Sequence, residues 1–537
     1  MGRSSQEAVH ASPEIAHDST PQDAGKADIG QMERVVSGGD EKGDHMNYNR
    51  VDDEVAKYVN ATAIEISEEE NKRLKKLIDR RVLPIMVFTY FLQALDKGTM
   101  SFTSIMGIRD DIPILQQNDK FAWLTTCIYI AVLIVEFPTN YIIQRVPIAK
   151  YLGANIMLWS ITLALHAVCF NFPSLVAVRT LLGIFEAVCQ PTFLIMSSMW
   201  YKREEQTKIV TWWYMMNGMQ QIVGGLLAYC FSLIKSPPSP IRSWQAIFMT
   251  YGMASFFWGV FVILWLPDSP MRAKCFSEED KKLMVERVRS NQTGLQNKKF
   301  RSYQFKEALL DPQSWCYCLI AICTTLPTSG LGAFANIIIK GFKFTTLQTQ
   351  LLAMVLGVVI IGTLLSSTAL VSKTNQTLLI MLAYVIPSFI GTIVLMTVRN
   401  TSKANQIGLL ISYYMVLSFW AAQTLSMALL SRNVAGQTKK ATVVAMNFIA
   451  WCVGNSIGPQ VFLTHDAPEY FIAFSTHMGC YVLLVIVIIF LRWNLTSRNK
   501  KRERAAAQVQ GDGTDQGLVH AFDDLTDGEN PTFRYMF

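Results

Sequence analysis

Twelve long apolar stretches constrain this chain more than any other feature. They run over residues 83–108, 121–143, 151–170, 174–200, 208–234, 244–266, 313–339, 348–371, 377–398, 404–428, 441–463 and 471–493 of a 537-residue sequence. Stretches of ~20 residues rising ~1.5 Å per residue span the ~30 Å hydrocarbon core of a bilayer. Open sheets leave backbone groups unsatisfied in lipid, so the spans are predicted to be helices. The expected fold is all-α and integral to the membrane. It has twelve transmembrane helices in two six-helix bundles, residues 83–266 and 313–493, joined by a long central loop over 267–312.

Only 17% of the residues are charged, and many of these lie in residues 1–82 and 494–537. Lys and Arg enrichment orients membrane helices. Lys72, Arg73, Lys75, Lys76, Arg80 and Arg81 precede the first span, and Arg498, Lys500, Lys501, Arg502 and Arg504 follow the last. The central loop is basic as well, which predicts that both termini of the multi-pass protein are cytoplasmic. The formal charge of +7 then reads as a topology signal and an attraction to anionic lipid, and no soluble basic domain for nucleic acid is expected. Residues 1–66 read as a disordered tail; they are polar with no apolar h-region, so no cleavable signal peptide is expected. Ser67 with Glu70 has capping-box spacing ahead of an amphipathic lead-in helix over 67–82, and Ser277 with Asp280 repeats it inside the central loop. Residues 494–537 read as a second cytoplasmic tail. The ten cysteines, nine of them in apolar spans, read as small buried hydrophobes rather than a disulfide framework or metal site. Neither a cofactor nor an enzymatic nucleophile arrangement is expected.

Ionisable residues inside membrane helices mark function by default. Asp96 and Lys97 sit in the middle of the first span, and Arg179 and Glu186 lie in the fourth. Seven residues at ~100° each bring Arg179 and Glu186 onto one helix face. Lys97 and Arg179 are candidate anchors for an organic anion, Arg being suited to a bidentate carboxylate contact. Asp96, Glu186 and Glu136 are candidate proton carriers, because burial and nearby cations act in opposite directions on a carboxylate's proton affinity. The alternatives are structural ion pairs in spans one and four, and for Glu136 a gate pair with Arg145 or Lys150. His166 reads as a packing residue. Asn217, Gln221, Asn336, Tyr414 and Asn447 are further candidates for substrate contact, with Gln220, Tyr413, Gln423 and Asn455 beside them; each alone is also ordinary interhelical glue. Trp212 and Trp213 read as interface residues. Gly98 in span one, and Pro327, Gly330 and Gly332 in span seven, are expected to break their helices, as in transporters whose site lies between repeats at mid-membrane.

The stretches "ALDKGTMSF" and "VRTLLGIFEA" resemble the span-one and span-four motifs of anion:cation symporters of the major facilitator superfamily. "EFPTNYIIQRVPIAKYLGAN", "SMWYKREEQ" and "NVAGQTKKATVVAMNFIAWCVGNSIGPQVFLTHDAPEY" resemble the fungal allantoate permease branch, as does the terminal "FDDLTDGENPTFRY". The resemblance implies a monomeric secondary transporter with alternating access and proton-coupled uptake of a small organic anion, vitamin or related nutrient, of the allantoate, nicotinate, pantothenate or cysteine type. Two departures stand out. Where the superfamily places an Asp after span two, this chain has Asn140, Gln144, Arg145 and Pro147 without it, and Lys97 replaces the more usual Arg. An exporter of a fungal metabolite or drug is the alternative; a nutrient sensor with little transport is a more distant one.

Overall fold

The structure, a computed structural model, describes residues 66–117, 119–143, 145–234, 241–273, 275–292, 301–509, 525–530 and 533–537. Nearly all of the expected N-terminal tail, and residues 510–524 and 531–532 of the C-terminal one, lie outside these.

The described chain is helical throughout. Ser67 caps α1 (Glu68–Arg81) by accepting from the Glu70 N–H at 3.2 Å. The first half continues with α2 (Leu83–Thr103), α3 (Lys120–Ile143), α4 (Ile148–Leu165), α5 (Phe172–Glu186), α6 (Cys189–Trp200), α7 (Arg203–Tyr214), α8 (Met216–Ser232) and α9 (Ser243–Trp265). The connection holds α10 (Glu278–Gln292), capped by Ser277, and a helix not anticipated from the sequence, α11 (Ser302–Leu310). The second half comprises α12 (Pro312–Gly341), α13 (Thr346–Thr374), α14 (Thr377–Thr397), α15 (Lys403–Val416), α16 (Trp420–Asn433), α17 (Gln437–Ile457) and α18 (Phe471–Val509).

Among the described residues, ten helical segments are long and apolar enough to cross a membrane. The other two expected spans have physical reasons for falling short. In α2, Gln93, Asp96 and Lys97 dilute the apolar run, and the fifth span is divided at Met215 into α7 and the 17-residue α8. Exposed side chains such as Leu264 at 76% and Phe257 at 71% would be a liability in water and suit a lipid-facing surface.

The expected helix breaks are corrected. α2 runs through Gly98, and α12 runs 30 residues through Pro327. The Thr324, Thr325 and Thr328 hydroxyls bond back to carbonyls one turn earlier, the kind of local support by which membrane helices accommodate proline. Gly98 serves close packing instead, since a Cβ there would collide with the Gln220 amide. The interruptions lie at residues 187–188, at Met215, and at the 3₁₀ turn Leu417–Phe419.

Cross-half packing is closest where α8 meets α13. A Cβ on Gly218 would lie 2.9 Å from the Gly357 carbonyl oxygen, and one on Gly357 would strike that of Gly218; small residues let membrane helices approach this closely. Hydrogen bonds between the halves gather at the end farthest from the termini. Asn336 donates to Ser101 Oγ at 3.3 Å, Thr126 to the Ser456 carbonyl at 2.8 Å, Gln460 to Thr126 Oγ1 at 2.8 Å, and Gln350 to Ser232 Oγ at 2.6 Å. At the tip, Asp119 Oδ1 accepts from both the backbone N–H and the hydroxyl of Thr464.

Candidate functional site

The four charges that stand out in the sequence converge. α5 ends at Glu186, where the helix is interrupted, and its last carbonyl accepts from Gln93 Nε2 on α2 at 3.2 Å. This places Glu186 against α2. Lys97 lies one turn after Gln93, on the same face, and its Nζ approaches Glu186 Oε2 at 3.5 Å. The exposures are unequal: the Lys97 side chain is 30% accessible and that of Glu186 is 0%.

Asp96 points elsewhere. Adjacent helix positions diverge by ~100°, and Asp96 turns to α9, where the Ser255 hydroxyl donates to Oδ2 at 3.3 Å. Its Oδ1 is buried without a hydrogen-bond partner. Arg179, two turns before Glu186, is 1% exposed and within electrostatic reach of Cys127, Glu186 and Asp96. Arg179 Nε and Nη2 and both Glu186 carboxylate oxygens are also without hydrogen-bond partners. The arrangement is thus two carboxylates and two cations, mutually close but under-bonded. Fully hydrogen-bonded structural pairs are the usual condition of buried charges; this cluster retains capacity for a further polar group.

The remaining candidates divide. Asn217 donates to the Tyr90 hydroxyl at 3.3 Å and to the Tyr214 carbonyl at 2.8 Å, beside the fifth-span interruption. Gln221 lines a cavity of about 30 Å³ between the halves with Thr328, Gly332, Tyr413 and Trp420. Asn336 is engaged with Ser101, although its Oδ1 lacks a partner. Tyr414 is turned within its own half, donating to the Leu352 carbonyl at 3.0 Å. Asn447 Oδ1 is buried without a partner on α17. Glu136 stands apart from the four-charge cluster, 3.4 Å from Asn140 Nδ2. The alternative reading of Glu136, a gate pair, is not seen: among the described residues no ion pair joins Glu136 to Arg145 or Lys150, and Arg145 covers the Tyr141 ring at 3.7 Å. His166 packs, its ring stacked on Phe248 with centroids 4.9 Å apart. Trp213 is a core residue against Tyr90 and Phe193 rather than an interface residue, whereas Trp212 is exposed. Gln93 and Ser255 were missed because a lone amide or hydroxyl in an apolar helix is ordinary; only the turn-spaced Gln93 and Lys97 could have flagged the former.

Residues 86–459 match the Major Facilitator Superfamily profile. The chain is 34% identical over 473 residues to an uncharacterized transporter of Schizosaccharomyces pombe, covering 88% of this chain and 90% of that one. It is 31% identical over 499 residues to the allantoate permease of Saccharomyces cerevisiae, covering 91% and 90%, and 32% identical to a thiamine pathway transporter of the same yeast, covering 88% and 87%. Among solved structures, the xylose transporter XylE from E. coli in a partially occluded inward-open conformation superposes with a TM-score of 0.59 at 13% identity, over 75% of this chain and 96% of that one. A bacterial homolog of the lysosomal transporter Spinster, in an inward-facing conformation, gives 0.56 at 15% identity over 79% and 97%. These likenesses carry the fold. With the family profile and the yeast relatives, they establish that the chain belongs to the Major Facilitator Superfamily, among the relatives of fungal allantoate permease, and is a multi-pass membrane transporter rather than an enzyme.

Proposed function

We propose that the protein is a proton-coupled importer of a small organic anion, with the cluster of Asp96, Lys97, Arg179 and Glu186 as its site. The observation that carries this reading is the exposure difference across the Lys97–Glu186 contact. The cation is accessible and its carboxylate partner is sealed. An incoming carboxylate meets Lys97 first and competes with Glu186 for it. Two cations and two carboxylates sum to zero, so adding a substrate anion leaves one uncompensated negative charge in a medium where that is costly. A proton taken up by Glu186 or Asp96 removes it. Substrate and proton therefore favour each other's binding, which is the thermodynamic content of symport.

In this reading both termini are cytoplasmic, the protein works as a monomer in the plasma membrane, and the end of the molecule tied by Asp119 and Thr464 is extracellular. The two halves rock about the α8–α13 crossing. The relation to allantoate permease favours a carboxylate nutrient as the cargo class. The test is uptake of labelled carboxylates in a strain lacking its own permeases. Uptake is expected to rise at acidic external pH and to fall with a protonophore. Glu186→Gln is expected to abolish accumulation against a gradient while retaining exchange of substrate for substrate. Accumulation indifferent to pH, protonophore and Glu186→Gln would refute the coupling.

A further inference from the structure

A second charged feature lies far from the transport cluster. A cleft of about 680 Å³ opens between α11, the first turn of α12, the end of α18 and the C-terminal segment, lined among others by Lys306, Leu310, Arg498, Lys501, Arg502 and Tyr535. It sits at the boundary where two membrane-crossing segments, Pro312–Gly341 and Phe471–Arg504, meet the polar side.

The lining carries four cations and two carboxylates, Glu307 and Asp311. Both carboxylates are occupied. Lys439 reaches Glu307 and Asp311 at 2.9 Å each, and Arg498 reaches Asp311 at 2.6 Å. Arg502 is spent on neutral acceptors, the Phe533 and Asp527 carbonyls. Among the described residues, Lys306 and Lys501 have no carboxylate partner, and both are exposed. Among the described residues the cleft therefore offers two ammonium groups without a carboxylate partner, one from α11 and one from α18, with Arg502 also in its lining.

The apolar side of the cleft is equally specific. Leu310 is 81% exposed, the most exposed large hydrophobic side chain among the described residues. Outside the cleft lining, on the adjoining surface of α11 and α12, Trp315 donates its indole N–H to the Leu309 carbonyl at 2.8 Å and is exposed, as are Phe305 and Leu309. An inorganic anion would use the lysines and leave this apolar shelf in water. A ligand with a phosphate head and an aliphatic tail uses both. Trp at a helix entrance and basic pockets beside membrane helices fit such a headgroup.

We infer that this cleft binds the phosphate headgroup of an anionic phospholipid, with Lys306 and Lys501 on the phosphate and Leu310 and Trp315 along the acyl chain. Because Gly528 and Tyr535 form part of the lining, the lipid also holds the C-terminal segment against the bundle. The test uses the full chain in nanodiscs of phosphatidylcholine, with or without a minority of phosphatidylserine, read by thermal unfolding and by lipid retained in native mass spectrometry. Phosphatidylserine is expected to raise the unfolding midpoint by ligand linkage. Lys306→Gln with Lys501→Gln is expected to lose most of that rise while keeping the midpoint in phosphatidylcholine. An equal loss of charge at Lys72 and Lys76 on α1 is expected to keep it. Leu310→Ser, which touches no charge, provides an independent variant and is expected to retain less lipid. Inorganic phosphate added to phosphatidylcholine discs is expected to do little. A full rise from phosphate alone would assign the cleft to a soluble anion and overturn the inference, as would a cleft double variant that keeps the phosphatidylserine response.

Discussion

Lys97 is the residue on which the site turns. Of the four clustered charges, Asp96, Arg179 and Glu186 are buried and Lys97 is open. These four were legible in the sequence because a charge in an apolar helix costs ~2.5–3.5 kcal/mol on insertion scales and so stands out. Their partners were not. Asp96 and Lys97 are neighbours in the chain, yet Lys97 approaches Glu186 while Asp96 is bonded by Ser255; helix rotation, not sequence adjacency, decides this. The pairing dictates the decisive mutations. Lys97→Gln leaves the Glu186 carboxylate buried without its nearest cation, which is expected to lower the unfolding midpoint. Adding Glu186→Gln removes the orphaned charge and is expected to restore that midpoint. If the contact is only structural, the double variant also regains substrate affinity. If Lys97 binds the anion, substrate affinity stays reduced about tenfold or more, the equivalent of ~1.4 kcal/mol. Binding to purified protein separates the outcomes, and near wild-type affinity in the double variant would exclude Lys97 as an anchor.

At the scale of elements, the apolar runs located the spans well, because hydrocarbon thickness sets a length that sequence displays. The interruptions were misplaced because glycine and proline permit a break without requiring one: Gly98 makes room for Gln220, and neighbouring threonines support α12 around Pro327. The docking of the C-terminal end was not legible, because polarity reads as a tail whether or not it docks. α18 continues to Val509, and residues 525–530 and 533–537 pack on the second half, with Tyr535 donating to Asp527 Oδ2 at 2.8 Å and Asn433 to the Met536 carbonyl at 2.7 Å. Lys439 is the hub, reaching Asp527, Glu307 and Asp311. Burial alone would push the Asp311 carboxyl up. The hydrogen bond from Arg498, then the field and hydrogen bond of Lys439, reverse this and hold it below the ordinary aspartate value. Its stabilising contribution is therefore complete above that ordinary value of ~4 and is lost as pH falls through the lower folded-state value. Asp311→Asn is expected to cost ~3 kcal/mol near neutrality, the low end for breaking a buried pair. The gap between the variant and wild-type unfolding midpoints should close on acidification below pH ~4; a gap that persists unchanged there would show that the charge is not what Asp311 contributes.

At the scale of the whole molecule, the two halves meet through unequal kinds of contact. The α8–α13 crossing at Gly218 and Gly357 is backbone-close and apolar, suited to a pivot, because packed small residues tolerate rotation better than separation. The far end is held by hydrogen bonds that must break for it to open. Asp119 and Thr464 share three of these, Asp119 accepting twice from Thr464 and donating its own N–H to Thr464 Oγ1 at 3.2 Å. Hydrogen bonds to a charged group contribute ~1.5–3 kcal/mol each when well made, and each ~1.4 kcal/mol is tenfold in a two-state population. Losing the carboxylate should thus move the balance between closed and open far ends by about tenfold or more. Asp119→Ala is expected to leave the cluster at Lys97 intact while exposing the cross-half seam. The readout is a cysteine placed at Ser101, which now meets Asn336 across the seam, alkylated by a membrane-impermeant maleimide in intact cells. Labelling should be slow in the parent and rise about tenfold with Asp119→Ala, while a cysteine in the central loop stays unlabelled in both. Equal slow labelling with and without Asp119 would mean that the gate is held by the neighbouring Thr126–Ser456 and Gln350–Ser232 bonds instead. Labelling of the central loop from outside would invert the orientation on which the import reading depends.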